Sequence, residues 1–210
     1  MPTRLIAVAT AAMDAPSLAR FWSRALGRPA ADDGRGGMVV RPGRTDGVAL
    51  WFEPSARPKS AKNRMHLDLP GGPGEVRRLL ALGAARTDIG QGDVPWEVLA
   101  DPEGNEFCVL PDAVADDGLA QICLDAADPA VQGPFWSAAT GWEPFDESPL
   151  VVRMRAASGT GPALVIGPPT APKHAPNRLR PVLAASPGDA ASVGAFTDPE
   201  GNEYRVVADG

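Results

Sequence analysis

The sequence predicts an α+β fold in which one plan is written twice, and three observations carry that prediction. The stretch DPEGNEFCVL at 101–110 returns as DPEGNEYRVV at 198–207. Six identical consecutive residues are too many for chance, so the chain holds an internal duplication. Phe21-Trp22-Ser23 also recurs as Phe135-Trp136-Ser137, and Asn63-Arg64 as Asn177-Arg178, each displaced by 114 positions (135 − 21 and 177 − 63). Finally, short strand-like runs alternate with helical apolar stripes, so that each copy reads as a βαβββ pattern repeated.

LIAVATA near the start is a first strand, followed by a helix near Ala15 to Leu26 and strands near 37–41 and 48–53. In NRMHLDL the alternation of an extended chain puts Arg64, His66 and Asp68 on one face and Met65, Leu67 and Leu69 on the other. That strand has a dry side and a chemically equipped side. In GEVRRLLALGAA the residues Val76, Leu79, Leu80 and Leu82 form a helical stripe that stops at Gly83. Pro111, a cluster of acids and Gly118 then interrupt the pattern, so the linker lies near 112–118 and the copies span 1–112 and 119–208. The closing motif is displaced by only 97 (198 − 101), so the second copy is 17 residues shorter (114 − 97) before its DPEGNE. Where the first copy has helix plus strand, the second has AASPGDAASVGAF, which is too short for both, so one helix is expected to be missing.

At 210 residues, with 22% charged and 44% hydrophobic residues, the chain has an ordinary globular composition. Its net charge of −6, with 20 scattered Lys and Arg, argues against nucleic acid as a partner. The N-terminal apolar run is too short to span a bilayer. Cys108 and Cys123 lack CxxC spacing and read as free thiols, which fits a reducing cytoplasm.

DAPSLARFWSRALGRP, KNRMHLDL and WEVLADPEGNEFCVL, in that order, resemble the vicinal oxygen chelate superfamily in its glyoxalase, bleomycin-resistance and dioxygenase-like branch. The second copy matches in LDAADPAVQGPFWSAATGWEP, NRLRPVL and DPEGNEYRVV. The resemblance implies modules rolled into two half-open cups that bind a small molecule or a divalent metal. It also implies ligand positions on the first strand of a module, on the strand opening the next module and near the end of the last strand. Those positions hold Ala7, His66 and Cys108 in the first copy, and Gln121, Arg180 and Arg205 in the second. Arginine stays protonated and cannot ligate, so the second set should reject a cation. In the first, a divalent metal would have to use His66, Cys108 and a carboxylate such as Glu53.

Other chemistry is legible beside this. A neutral His66 facing a cup could serve as acid or base on a bound ligand, with Asp68 on the same face; the plainer expectation is that Asp68 pairs with Arg64. Trp51 and Trp96 suit a cavity wall, although tryptophans are more often core. Arg180 and Arg205 either bind an anion or are neutralised by Asp125 and Glu203. DPEGNE itself reads as turn chemistry. The Pro-rich loops 54–62 and 167–176 should rim the cups, with His174 solvated. The combined expectation is a cytoplasmic protein binding a small organic ligand, anionic where the arginines are unpaired, through Trp51, Trp96, Cys108, Gln121, Arg180 and Arg205, with no membrane or nucleic-acid partner and no essential cofactor. Its alternatives are a lyase or isomerase using His66, and a second copy that acts as a structural pseudo-dimer partner, the chain being a monomer of that kind or a homodimer.

Overall fold

The computed structural model describes residues 3–44, 47–115, 117–170, 173–186, 188 and 192–208. In chain order the first copy forms β1 (Arg4–Ala12), α1 (Ala15–Leu26), β2 (Ala30–Asp32), β3 (Met38–Val40), β4 (Ala49–Pro54), β5 (Met65–Pro70), α2 (Pro73–Leu82), β6 (Ala85–Arg86), β7 (Glu97–Ala100) and β8 (Glu106–Leu110). The second forms β9 (Gln121–Asp125), α3 (Pro129–Thr140), β10 (Glu143–Glu147), β11 (Val152–Arg155), β12 (Ala163–Gly167), β13 (Leu179–Ala184), β14 (Gly194–Thr197) and β15 (Glu203–Val207). Among the described residues no α-helix stands between β13 and β14, as the shortened interval predicts.

The helix ends follow local chemistry. Asp14 and Asp128 cap α1 and α3 by accepting from the backbone N–H groups of Ser17 and Val131. A proline fits each first turn, where its missing N–H costs nothing. Gly27, Gly83 and Gly141 end the three helices in the left-handed region, which a side chain would strain. Of the stripe read in α2, Val76 and Leu79 are buried, while Leu80 and Leu82 pack at the margin of the core. One apolar core joins both sheets and all three helices, with Trp22, Phe52, Phe107 and Trp136 among its largest members. No helix among the described residues is long and apolar enough to cross a membrane.

The sheets do not divide as the copies do. A seven-stranded sheet runs β14-β15-β13-β1-β4-β3-β2, and an eight-stranded one runs β10-β11-β12-β9-β5-β8-β7-β6. The first takes four strands from the first copy and three from the second, and the other takes four from each. The opening strand of every module has one free edge, and that edge is closed antiparallel by the opening strand of a module in the other copy: β1 by β13, β5 by β9. Chain order had grouped His66 and Cys108 with Ala7 and Glu53. Instead His66 and Cys108 lie with Gln121 on the eight-stranded sheet, and Ala7 and Glu53 lie with Arg180 and Arg205 on the seven-stranded one.

The repeated DPEGNE is the joint between the copies as well as a turn. Asp101 accepts from the backbone N–H groups of Glu103 and Asn105, and Asp198 does the same for Glu200 and Asn202. Glu103 accepts from the Met13 and Asp14 N–H groups ahead of α1 and from Arg178 of the other copy at 2.5 Å. Its twin Glu200 accepts from Ala127 and Asp128 ahead of α3 and from Arg64 at 2.8 Å. The last glutamate of each motif, Glu106 or Glu203, holds Lys59 or Lys173, both at 2.6 Å. The expected pairing of Arg64 with Asp68 is therefore replaced by an inter-copy pairing with Glu200. The linker is pinned too: buried Arg28 bonds the carboxylate of Asp117 at 2.5 Å and the Val48 carbonyl at 3.0 Å.

Candidate functional site

Each sheet presents one face away from the shared core, and the two faces differ chemically. On the eight-stranded sheet the register sets Asp68 beside both Cys108 and Gln121, and His66 beside Cys123. Cross-strand partners project to the same side, so five polar side chains converge there. Cys123 Sγ donates to Asp68 Oδ2 at 3.1 Å and lies 3.8 Å from Gln121 Oε1. His66 Nε2 approaches Asp68 Oδ1 to 3.4 Å, but the angles make no hydrogen bond, and this oxygen is buried without a partner. Asp68 is 3% exposed. Strand rise alone separates His66 and Asp68 by about 7 Å along the chain; their side chains close that gap.

Burial pushes the Cys108 and Cys123 thiols up, and the nearby Asp68 carboxylate pushes them further, so both are protonated at neutral pH. Both cysteines are free. Burial also raises Asp125, against the attraction of Lys62, which is its partner. His66, Asp68 and Cys123 each offer a ligand atom within 4.8 Å of the other two. Cys123 was not singled out from the sequence, although the alternation Gln121, Cys123, Asp125 places it on the equipped face.

On the seven-stranded sheet the equivalent face carries Trp51 and Glu53 on β4, Arg180 on β13 and Arg205 on β15. Small residues on β1 leave the space: Ala9 aligns with both Trp51 and Arg180, and Ala7 with Val182, itself beside Arg205. Both arginines are ion-paired with Glu53, Arg180 Nη2 to Oε2 at 2.9 Å and Arg205 Nη2 to Oε1. The expected neutralising acids are engaged elsewhere, Asp125 by Lys62 and Glu203 by Lys173. Two guanidiniums thus share one carboxylate, leaving one positive charge in excess. Arg205 also lies over Trp51, 5.2 Å from the ring centroid, and its Nε is buried without a partner. A cavity of about 500 Å³ opens beside them, lined by Arg180, Val182, Phe196, Tyr204 and Arg205 among others.

Trp96 belongs to neither group. It precedes β7 and bonds Gln91 at 3.2 Å within a separate pocket formed by residues 86–98. The rim loops face one another around a further pocket of about 470 Å³, where His174 is exposed as expected; residues 171 and 172 of the second loop lie outside the described residues.

The architecture agrees with that of known proteins. A family model described as "Glyoxalase-like domain" matches residues 7–110 and 121–193. Glyoxalase I from Zea mays superposes with a TM-score of 0.69 at 12% identity, over 98% of this chain and 92% of that one. A protein from Bacillus subtilis subsp. subtilis str. 168, described as a candidate dioxygenase, superposes with a TM-score of 0.66 at 13% identity, over 99% of this chain and 86% of that one. A search of curated proteins finds no match. At such identities the likeness is one of fold.

Proposed function

The chain belongs to the glyoxalase-like domain family, and on that premise we propose that it binds a small organic anion in the cavity of the seven-stranded sheet, with no metal at that site. One observation carries this reading: the arginines at two of the ligand positions, Arg180 and Arg205, share the single carboxylate of Glu53 beside a cavity of about 500 Å³. A divalent cation would meet two guanidiniums there, whereas a carboxylate meets planar donors suited to it. Trp51, Phe196 and Tyr204 supply flat apolar surface near those donors, the combination that small-molecule pockets use.

The test compares benzoate with its neutral isostere benzamide by calorimetric titration. Benzoate should bind and benzamide should bind at least about tenfold more weakly, the equivalent of ~1.4 kcal/mol. The Arg180→Ala/Arg205→Ala variant should lose that preference, and dialysis against a chelator should leave it intact. Equal binding of both probes, or a preference unchanged in the double variant, would refute the reading.

A second reading is an enzyme of the lyase or isomerase kind working on the other sheet. It is favoured by the 3.4 Å approach of His66 Nε2 to buried Asp68, a pair able to hold and release a proton beside a bound acid.

A further inference from the structure

We propose that His66, Asp68 and Cys123 form a binding site for a thiophilic divalent cation, with zinc as the reference case, on the eight-stranded sheet. The proposal is independent of the arginine cavity. It also departs from the positions that the family resemblance assigns, which on this sheet are Gln121, His66 and Cys108. Asp68 and Cys123 each stand two residues further along their strands, so only His66 is common to both sets.

The donors are already spaced at about the scale of a zinc coordination sphere. Zinc holds imidazole nitrogen and carboxylate oxygen at about 2.0–2.2 Å and thiolate sulfur at about 2.3 Å. The edges of such a tetrahedron are therefore roughly 3.3–3.7 Å. Here His66 Nε2 is 3.4 Å from Asp68 Oδ1, Cys123 Sγ is 3.1 Å from the other oxygen, Oδ2, and one ligand atom from each residue lies within 4.8 Å of the other two. All three residues sit on adjacent central strands, β5 and β9, held in register by the ladder. The donors need only small side-chain rotations to close on an ion.

Charge gives the second, separate argument. A buried carboxylate is normally paired, saturated with hydrogen bonds, or bound to a metal. Asp101 shows saturation, accepting from Trp22, from the Glu103 and Asn105 backbone, and from the Asn105 side chain. Asp68, equally buried, has weak thiol donors beside it, Cys123 at 3.1 Å and its cross-strand neighbour Cys108, and keeps Oδ1 unpartnered beside His66. The two nearest cations in sequence are engaged elsewhere, Lys62 by Asp125 and Arg64 by Glu200. A divalent ion would supply the missing positive charge and use the idle oxygen. The donor set selects its class: one imidazole, one carboxylate and the sulfur of Cys123, whose thiol proton passes to solvent as the ion binds, suit zinc or cobalt and disfavour magnesium or calcium. Three protein ligands leave a fourth position open, near Gln121 Oε1.

The experiment titrates chelator-treated full-length protein with cobalt(II). A thiolate-to-cobalt charge-transfer band should saturate at one cobalt per chain, and elemental analysis after zinc loading should give the same stoichiometry. Cys123→Ser should abolish the band, while Cys108→Ser should keep it. Loss of an outer partner of a metal ligand already weakens binding ~10–100-fold, so Asp68→Asn and His66→Ala should each weaken cobalt binding by at least that much. Absence of a stoichiometric band in the unmodified protein overturns the proposal, whatever the variants do. So does a band that survives Cys123→Ser and vanishes in Cys108→Ser.

Discussion

Replacing Glu103 by alanine should be among the most damaging changes outside the apolar core. Its carboxylate accepts from two backbone N–H groups ahead of α1, at 3.0 and 2.8 Å, and from Arg178 of the other copy at 2.5 Å. The Glu103 and Arg178 side chains are only 13% and 10% exposed. Hydrogen bonds to a charged group are worth about 1.5–3 kcal/mol each, and removing one partner of a buried pair costs about 3–5 kcal/mol. The backbone donors are exposed and regain water, so the lower end applies, ~3 kcal/mol. For a chain of this size each kcal/mol moves Tm by about 2–4 °C, which predicts a fall of about 6–12 °C. Glu97, paired with Arg86 on the open surface where such bridges are worth about 0–1 kcal/mol, is the control. Differential scanning calorimetry of Glu103→Ala, Arg178→Ala and the double variant reads both the cost and the coupling. A Glu103→Ala shift no larger than that of Glu97→Ala, or strictly additive single changes, would refute the view that this motif joins the copies.

Two further predictions follow from the same twinned architecture. Trp22 donates its indole N–H to Asp101 at 3.1 Å, whereas the indole N–H of its twin Trp136 is buried without a partner; Trp22→Phe should therefore cost about 1–2 kcal/mol more than Trp136→Phe by urea denaturation, and equal costs would sink the distinction. For Glu203 burial works against ionisation, yet the hydrogen bonds from Lys173 and the Asn177 backbone prevail and hold its carboxyl below the usual glutamate range. A depressed folded value means its contribution is present above the unfolded value and is lost as pH falls through the folded one, so Glu203→Gln should flatten the acid limb of the Tm–pH profile, and an unchanged limb would count against it.

Much of the local structure is legible in the residues. Asp14, Pro16 and Gly27 bracket α1, and the alternation Met65, Leu67, Leu69 against His66, Asp68 identifies the dry and equipped faces of β5, because those signals act between near neighbours. The two-sheet partition is not legible in the same way. The edge that β1 offers to β13 would read identically if it were offered to β5, since periodicity fixes which face is buried and says nothing of which strand lies alongside. That is why Glu53 reads as a companion of His66 in sequence order and proves to be the counter-ion of Arg180 and Arg205. Cys123 reads only as a free thiol in the sequence for a related reason: its place at the site depends on β9 pairing with β5 in the register His66 to Cys123. Asp68 was visible as a neighbour of His66, but its idle oxygen is a property of packing.

The crossed pairing bears on how the chain can be made. β1 leaves the ribosome well before its partner β13 (Leu179–Ala184), so the central ladder of the seven-stranded sheet must wait until the whole stretch between them has been synthesised. Through that interval the outer edge of β1 is a bare row of N–H and C=O groups, the kind of template that recruits strands from other nascent chains. The eight-stranded sheet has a much shorter delay, because β5 and β9 are separated only by α2, β6, β7, β8 and a pinned linker. Assembly by order of emergence would complete the histidine-bearing sheet first and the arginine-bearing sheet last, and crowding on polysomes would tax the second more than the first.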